Sequence, residues 1–456
     1  MFYRLKDNFA LRGWTNLPHA IVDLNSGETL GLNKFTYTVL SLCNGKVPDS
    51  LLLPSQQKIV EKMLNYGVVE EQDTPAFISE NQGYKSAACQ RISSAHWSIT
   101  GKCNLRCKHC YMSAPQAKFG ELSKQQCFDI IKQLVEANIY KISLTGGEPF
   151  VRKDFWEIVD ELVANRISIY QIYTNGFLVN KKLLDKFISR SLKPEFSLSY
   201  DGKGCHDWLR GVNGAEKRTI EAISLLVSKG FTVGVEMSLH KRNIHTLTES
   251  ILYLASIGVS HIKATPTSNS GNWVGENECY TLAYDELYDG YLKFIREYKD
   301  ADAPINIMLG GFFMCSKGSS QYSIPSLKGR GVPEQDMLDQ PVCGSARSNM
   351  YIAADGRILP CIPLSGLPIE ATMPNITVSN LTTALNDSTY LKAINTTQHE
   401  LFSENEECNS CKHKFDCGGG CRASALISSN EYLGRDEAVC FFFKNNYEQK
   451  IREIYS

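Results

Sequence analysis

The chain has 456 residues, 43% hydrophobic and 21% charged, with a formal net charge of −1. That length predicts more than one domain at roughly 100–200 residues each, and the composition is that of a globular protein. The charge balance gives no electrostatic case for nucleic acid, no apolar run approaches the roughly 20 residues that span a bilayer, and residues 1–7 lack a basic-then-apolar signal pattern. A cytoplasmic protein with no membrane or nucleic-acid partner is expected. In that setting the 16 cysteines are better explained as metal ligands than as disulfides.

Residues 1–75 read as a small domain. Strands are expected at 10–14, 20–24 and 29–32, with Asn25-Ser26-Gly27 as a turn between the last two. Tyr37, Leu40, Leu42 and Cys43 form a helical face, and a second helix over 57–66 turns Ile59, Val60, Met63 and Leu64 inward before Gly67 caps it. The polar stretch 76–94 reads as a linker. From 95 to 309, strands at 97–100, 141–145, 169–174, 195–199, 232–238 and 261–265 alternate with helices at 124–137, 155–165, 181–189, 215–228, 244–257 and 284–298. That alternation predicts an α/β domain with a parallel sheet. Residues 310–342, rich in Gly, Ser and Pro, read as a bridging loop. Residues 343–456 are cysteine-dense and read as a metal-organised domain with a last helix at 445–454.

Three motifs carry chemistry. In Cys103-Asn-Leu-Arg-Cys107-Lys-His-Cys110, three thiolates would leave one corner of a four-iron cubane free of protein ligands. Zinc is the alternative, but it usually wants four ligands in two pairs. Gly146-Gly147-Glu148-Pro149 follows a predicted strand directly, where parallel folds place their ligands; its glycines admit a close backbone approach, and its carboxylate can hold an ammonium. Tyr173-Thr174-Asn175-Gly176 ends the next strand. In the last third, Cys343 and Cys361 flank the hairpin signal Asp355-Gly356-Arg357. Cys408, Cys411, Cys417 and Cys421 follow, then Cys440. Two zinc sites are the alternative there.

The cysteine triplet, followed by Tyr111 and joined to the Gly-Gly-Glu-Pro motif, resembles the signature of radical S-adenosylmethionine (SAM) enzymes. The resemblance implies a partial (β/α)6 TIM-like barrel. It implies a [4Fe–4S] cluster on Cys103, Cys107 and Cys110 whose open iron chelates SAM. It places Glu148 on the SAM amino group, within the turn shaped by Gly146, Gly147 and Pro149. Ser199 becomes a candidate for the ribose or carboxylate, and Arg210 for the carboxylate. His109 and Tyr111 are expected near adenine. An external one-electron donor such as flavodoxin or ferredoxin is implied as a partner.

The C-terminal cysteines resemble the SPASM domain, which implies two auxiliary clusters and hence a cluster at each of three cysteine groups. Cys408, Cys411, Cys417 and Cys440 would hold the distal one; Cys343, Cys361 and Cys421 would hold the proximal one. Either Cys315 completes the proximal set or its open iron takes a substrate thiolate. Residues 1–75 resemble a RiPP recognition element, through Ile21-Val22-Asp23, Gly31-Leu32-Asn33 and Leu42-Cys43-Asn44-Gly45. (RiPPs are ribosomally made, post-translationally modified peptides.) That implies a precursor peptide whose leader adds as a strand. The alternative is a DNA-binding winged helix, but Gln56-Gln57-Lys58 and Glu61-Lys62 are mixed in sign.

The three domains together resemble peptide maturases that form thioether links, and residues 198–211 resemble that group in particular. Carbon–carbon or carbon–oxygen crosslinking, epimerisation with Cys205 as hydrogen donor, and sulfatase-type side-chain oxidation are the alternatives. A radical SAM enzyme acting on a small molecule or RNA, and a non-catalytic iron–sulfur protein, are the readings from other classes.

Overall fold

The computed structural model describes residues 1–112, 120–329 and 331–456. It opens with β1 (Phe2–Leu5), β2 (Phe9–Trp14), β3 (Leu17–Asp23) and β4 (Thr29–Gly31). Next come α1 (Lys34–Leu42), β5 (Asn44–Pro48), α2 (Pro54–Asn65), β6 (Val69–Gln72) and β7 (Lys85–Ala87). They form two sheets, β5–β1–β6 and β4–β3–β2–β7. Side chains alternate across a strand, and β2 and β3 use both faces. Leu11 and Ile21 join Val39, Leu40 and Val60 in the small domain's own core. Ala10, Trp14, Ala20 and Val22 belong to the large core that follows. The two bodies are therefore packed together rather than tethered.

The stretch 76–94 is not a free linker. Its polar residues satisfy buried backbone groups. The Gln82 amide, 2% exposed, donates to the carbonyls of Leu5 and Lys6 at 3.1 and 2.9 Å. The buried Arg12 guanidinium reaches Asn81 O and Gly83 O at 2.7 and 2.9 Å. β7 in the same stretch pairs parallel to β2.

The central sheet runs through β8 (Ser94–Ser98), β9 (Lys141–Thr145), β10 (Ser168–Thr174), β11 (Glu195–Ser199), β12 (Val233–Leu239), β13 (His261–Pro266) and β14 (Asn306–Leu309), each parallel to the next. Helices cover it: α3 (Lys124–Glu136), α4 (Phe155–Ala164), α5 (Lys181–Ser189), α6 (His206–Arg210), α7 (Ala215–Ser228), α8 (Leu247–Ser256) and α9 (Tyr284–Asp300). This is the expected partial TIM-like barrel, with β14 as an additional parallel strand too short to stand out in the sequence.

The expected loop 310–342, whose position 330 lies outside the described residues, holds β15 (Phe313–Cys315) and β16 (Tyr322–Ser323). They extend the sheet antiparallel beyond β14. At the other end, β17 (Asn349–Ile352) pairs parallel to β8 and antiparallel to β18 (Ile358–Leu359). The hairpin signal at Asp355-Gly356-Arg357 is realised there, with Gly356 at φ +88°. The C-terminal helices Glu437–Lys444 and Tyr447–Tyr455 pack on α9, where Tyr288 Oη donates to Ala438 O at 2.7 Å. Among the described residues, no helix is long and apolar enough to cross a membrane.

Candidate active site

The three clustered cysteines lie on the loop that leaves β8, and loops from the C-terminal ends of other strands hold it. Gly147 N donates to Thr100 O and Glu148 N to Lys102 O, both at 2.8 Å. A Cβ on Gly146 would stand 2.4 Å from Thr100 O, and one on Gly147 2.2 Å from Lys102 O. Only glycine permits that approach. From the loop after β13, Asn272 N donates to Cys110 O at 3.1 Å. After β11, Leu209 O accepts from Lys108 N at 2.8 Å. The site thus forms where parallel barrels place their chemistry.

Burial pushes the Cys103 thiol up to about 12. It also raises Cys107, against the pull of Arg210. Buried Cys43 is raised as far, so the shift reflects burial; what suits a metal centre is three thiols gathered on one loop beside Arg210 and Glu148. Pro149 opens the short turn Pro149–Val151, and Glu148 just before it is fully buried. The Glu148 carboxylate accepts from Thr174 Oγ1 at 2.9 and 3.1 Å, Asn175 N at 2.8 Å and Phe150 N at 3.2 Å. Burial outweighs these bonds and pushes its pKa up to about 7. A buried carboxylate held by neutral donors is suited to receive an ammonium.

His109 Nδ1 and His240 Nε2 are buried without a hydrogen-bond partner among the described residues. Tyr111 Oη lies 3.5 Å from Tyr351 Oη on β17, which is 2.7 Å from Ser98 Oγ on β8. Ser199 stands half-buried at the end of β11.

Arg210, the candidate for the SAM carboxylate, is anchored by a carboxylate of the chain itself. Asp201 takes its Nε and Nη2 at 2.7 and 3.0 Å, and its Nη1 lies 3.7 Å from Cys107 Sγ. Asp201 is fully buried, also accepts from Ser238 N at 3.0 Å, and lies 3.0 Å from His206 Nδ1. Burial alone would raise the Asp201 carboxyl, yet Arg210 and His206 hold it well below the usual range. Sequence reading assigned no role to Asp201 or His206. An Asp-Gly pair just past a strand end, followed by an Arg, was the available signal. Cys205, weighed as a hydrogen donor, gives its thiol to Arg242 O at 3.0 Å.

The C-terminal thiols separate into two groups. Burial raises Cys361, with Cys421 and Cys343 adding to it, and Cys421 in turn has Cys343 among its neighbours. Cys417 is pushed up to about 11 by burial, with Cys408 and Cys411 contributing. Cys440 is pushed to about 12, again chiefly by burial, with Cys417 and Cys408 beside it. Among the described residues, no three His, Cys, Asp or Glu side chains converge closely enough to hold a single metal ion. The fit to clusters rests on the donor chemistry: sets of four, three and three thiols, the ligand class of iron–sulfur centres.

Cys315 joins neither group. Its buried thiol lies 3.4–3.5 Å from the carbonyls of Ser316, Ser319 and Gln321. The β15–β16 hairpin folds back over its own cysteine, beside Tyr298 and Tyr455.

Residues 97–254 match the model of the radical SAM superfamily, and residues 343–412 match that of an iron–sulfur cluster-binding domain, SPASM. The chain is 28% identical to the mycofactocin maturase of Mycolicibacterium smegmatis, over 75% of this chain and 80% of that protein. It is 25% identical to the antilisterial bacteriocin subtilosin biosynthesis protein AlbA of Bacillus subtilis, over 79% of this chain and 73% of that one. Streptococcus suis SuiB, solved bound to its precursor peptide SuiA, shares the fold with a TM-score of 0.66 at 15% identity, over 96% of this chain and 100% of SuiB. With its three-cysteine loop, its Gly-Gly-Glu-Pro turn and its cysteine-dense C-terminal region, the chain carries a radical SAM domain over residues 97–254 and a SPASM iron–sulfur cluster-binding domain over residues 343–412.

Proposed function

We propose that this enzyme matures a ribosomally made precursor peptide and installs a crosslink, a thioether from a substrate cysteine. Cys103, Cys107 and Cys110 hold the SAM-binding cluster, and Glu148 receives the SAM ammonium. Ser199, His109 and Tyr111 line the remainder of that site. Bound there, cluster and SAM supply a 5′-deoxyadenosyl radical able to take hydrogen from an unactivated carbon. The chain's own contribution is to orient SAM, exclude water and fix the distance to one C–H bond. An external one-electron donor such as flavodoxin or ferredoxin reduces the site.

Residues 1–75 take the leader peptide on the free edge of β4. That strand ends its sheet, and Leu30 within it and Phe35 just after it are 61% and 47% exposed. An edge strand with apolar side chains beside it is what strand addition uses.

The Cys315 thiol carries the bond type. Because it is turned into its own hairpin, the group of Cys343, Cys361 and Cys421 has three protein thiols, leaving a position for a thiolate of the substrate. The remaining four of the seven C-terminal cysteines, Cys408, Cys411, Cys417 and Cys440, form a complete set. The similarity of residues 198–211 to thioether-forming enzymes carries less weight, since Asp201, His206 and Arg210 there build the buried network beside Cys107.

Co-expression with the precursor followed by mass spectrometry tests this. A thioether costs the peptide one H2 per link and leaves that cysteine unreactive to alkylating reagents. The same mass loss with every cysteine still alkylated would replace the thioether by a carbon–carbon or carbon–oxygen link. An unchanged mass would end the crosslinking reading.

A further inference from the structure

Lys328 lies between the two C-terminal thiol groups. Its backbone is fastened to the turn before Cys417: Lys328 N donates to Asp416 O at 2.7 Å. A Cβ on the adjacent Gly329 would stand 2.2 Å from Phe415 O, so glycine lets the two segments touch. The side chain then reaches inward. Its Nζ donates to Val342 O at 2.7 Å, Gly420 O at 3.2 Å and Gly418 O at 3.5 Å. These carbonyls belong to the residues next to Cys343, Cys421 and Cys417.

Two of those cysteines belong to the three-thiol group and the third to the four-thiol group. An ammonium has three donors, and here all three are used. The acceptors are carbonyl dipoles, which fix the charge in place without neutralising it. Burial works against the charge and lowers the ammonium's pKa; the three carbonyl acceptors are what hold the protonated form in place. The lysine thus presents one positive charge to both groups from a partly buried, low-dielectric position, where charge acts strongly.

We infer that Lys328 is a positioning and potential-setting residue shared by the two auxiliary clusters, raising the reduction potential of each. One-electron reduction of a cluster adds one negative charge and takes up no proton, so a fixed cation nearby favours the reduced state. A shared cation also ties the two potentials together, which suits two centres that pass an electron from the substrate side outward. The inference rests on the reading that the seven thiols hold two clusters.

The test is an EPR-monitored potentiometric titration of the intact enzyme as wild type, Lys328→Gln and Lys328→Arg, with iron counted in each. Gln keeps amide donors for the carbonyls but removes the charge; Arg keeps both. Both auxiliary potentials are expected to move to more negative values in the Gln variant and to stay near wild type in the Arg variant. The Cys103/Cys107/Cys110 cluster should not move in either. Unchanged auxiliary potentials in Lys328→Gln overturn the inference, as does an equal shift of all clusters. Loss of auxiliary iron from Lys328→Gln would make the lysine a strut and overturn it as well. A wild-type protein without auxiliary iron overturns the two-cluster reading and this inference together, and the iron count separates that case before any titration.

Discussion

Arg210 grips Asp201 at two points, 2.7 and 3.0 Å, while its third nitrogen lies 3.7 Å from the Cys107 sulfur. The pair is buried, and removing one partner leaves an uncompensated charge worth about 3–5 kcal/mol. Arg210→Met is expected to lower apoprotein stability by that order in urea denaturation. Arg210→Lys should recover only part of it, since an ammonium cannot reproduce the two-point fork. Iron at the first cluster should fall in both variants. Wild-type stability in Arg210→Met would remove the pair from the scaffold.

The proposed role of Glu148 at the SAM ammonium predicts that SAM binding depends on pH. Its carboxyl is raised to about 7 in the fold from an ordinary value of 4.5. Between those values the folded protein binds a proton that the unfolded chain has released, so this group's contribution to apoprotein stability declines as pH rises through that window. Binding an ammonium needs the charged form. SAM affinity is therefore expected to weaken about tenfold per pH unit below about pH 7. Equilibrium dialysis would show that slope in wild type and its absence, with much weaker binding, in Glu148→Gln. A flat wild-type profile would argue that Glu148 does not meet the ammonium.

The hairpin around Cys315 predicts a contrast in iron content. Cys315→Ala should retain the full auxiliary iron, because its thiol serves neighbouring carbonyls. Cys361→Ala or Cys421→Ala should lose the three-thiol centre. Iron analysis with EPR checks both, and loss of one cluster from Cys315→Ala would restore it as a ligand.

The leader-docking edge can be tested without touching the barrel. Leu30→Asp combined with Phe35→Ala removes exposed apolar surface beside β4. Burying two such side chains is worth enough that leader binding, followed by fluorescence anisotropy, should weaken by about tenfold or more. SAM cleavage without peptide should be unchanged. Undiminished leader binding would move the docking site elsewhere.

Much of this was legible in the residues themselves. Short apolar runs alternating with helical patterns located the barrel strands and helices, because buried parallel strands are apolar and turns are marked by Gly. The cysteine spacings marked out three groups of thiols, and the Gly146-Gly147 contact follows from side chains that are absent. What escaped was set by long-range partners. The 76–94 stretch reads as solvent-facing because Gln82 is polar, yet its amide answers carbonyls of Leu5 and Lys6 from the other end of the small domain. The pairing of Arg210 with Asp201 could not be read from the sequence, because Asp201 carries no local mark of it. The sequence left Cys315 open between ligand and bystander, because spacing says nothing about which way a hairpin turns its thiol.

The parallel pairing of β17 with β8 has a consequence for how the chain is made. Until residues 349–352 leave the ribosome, β8 has a neighbour on one side only, and its backbone groups form an open sheet edge. A nascent or truncated barrel would carry that edge exposed, directly before the cysteine loop. The C-terminal region therefore closes the sheet edge of the strand that leads into the cysteine loop, and a barrel cut before residue 349 would lack that cover.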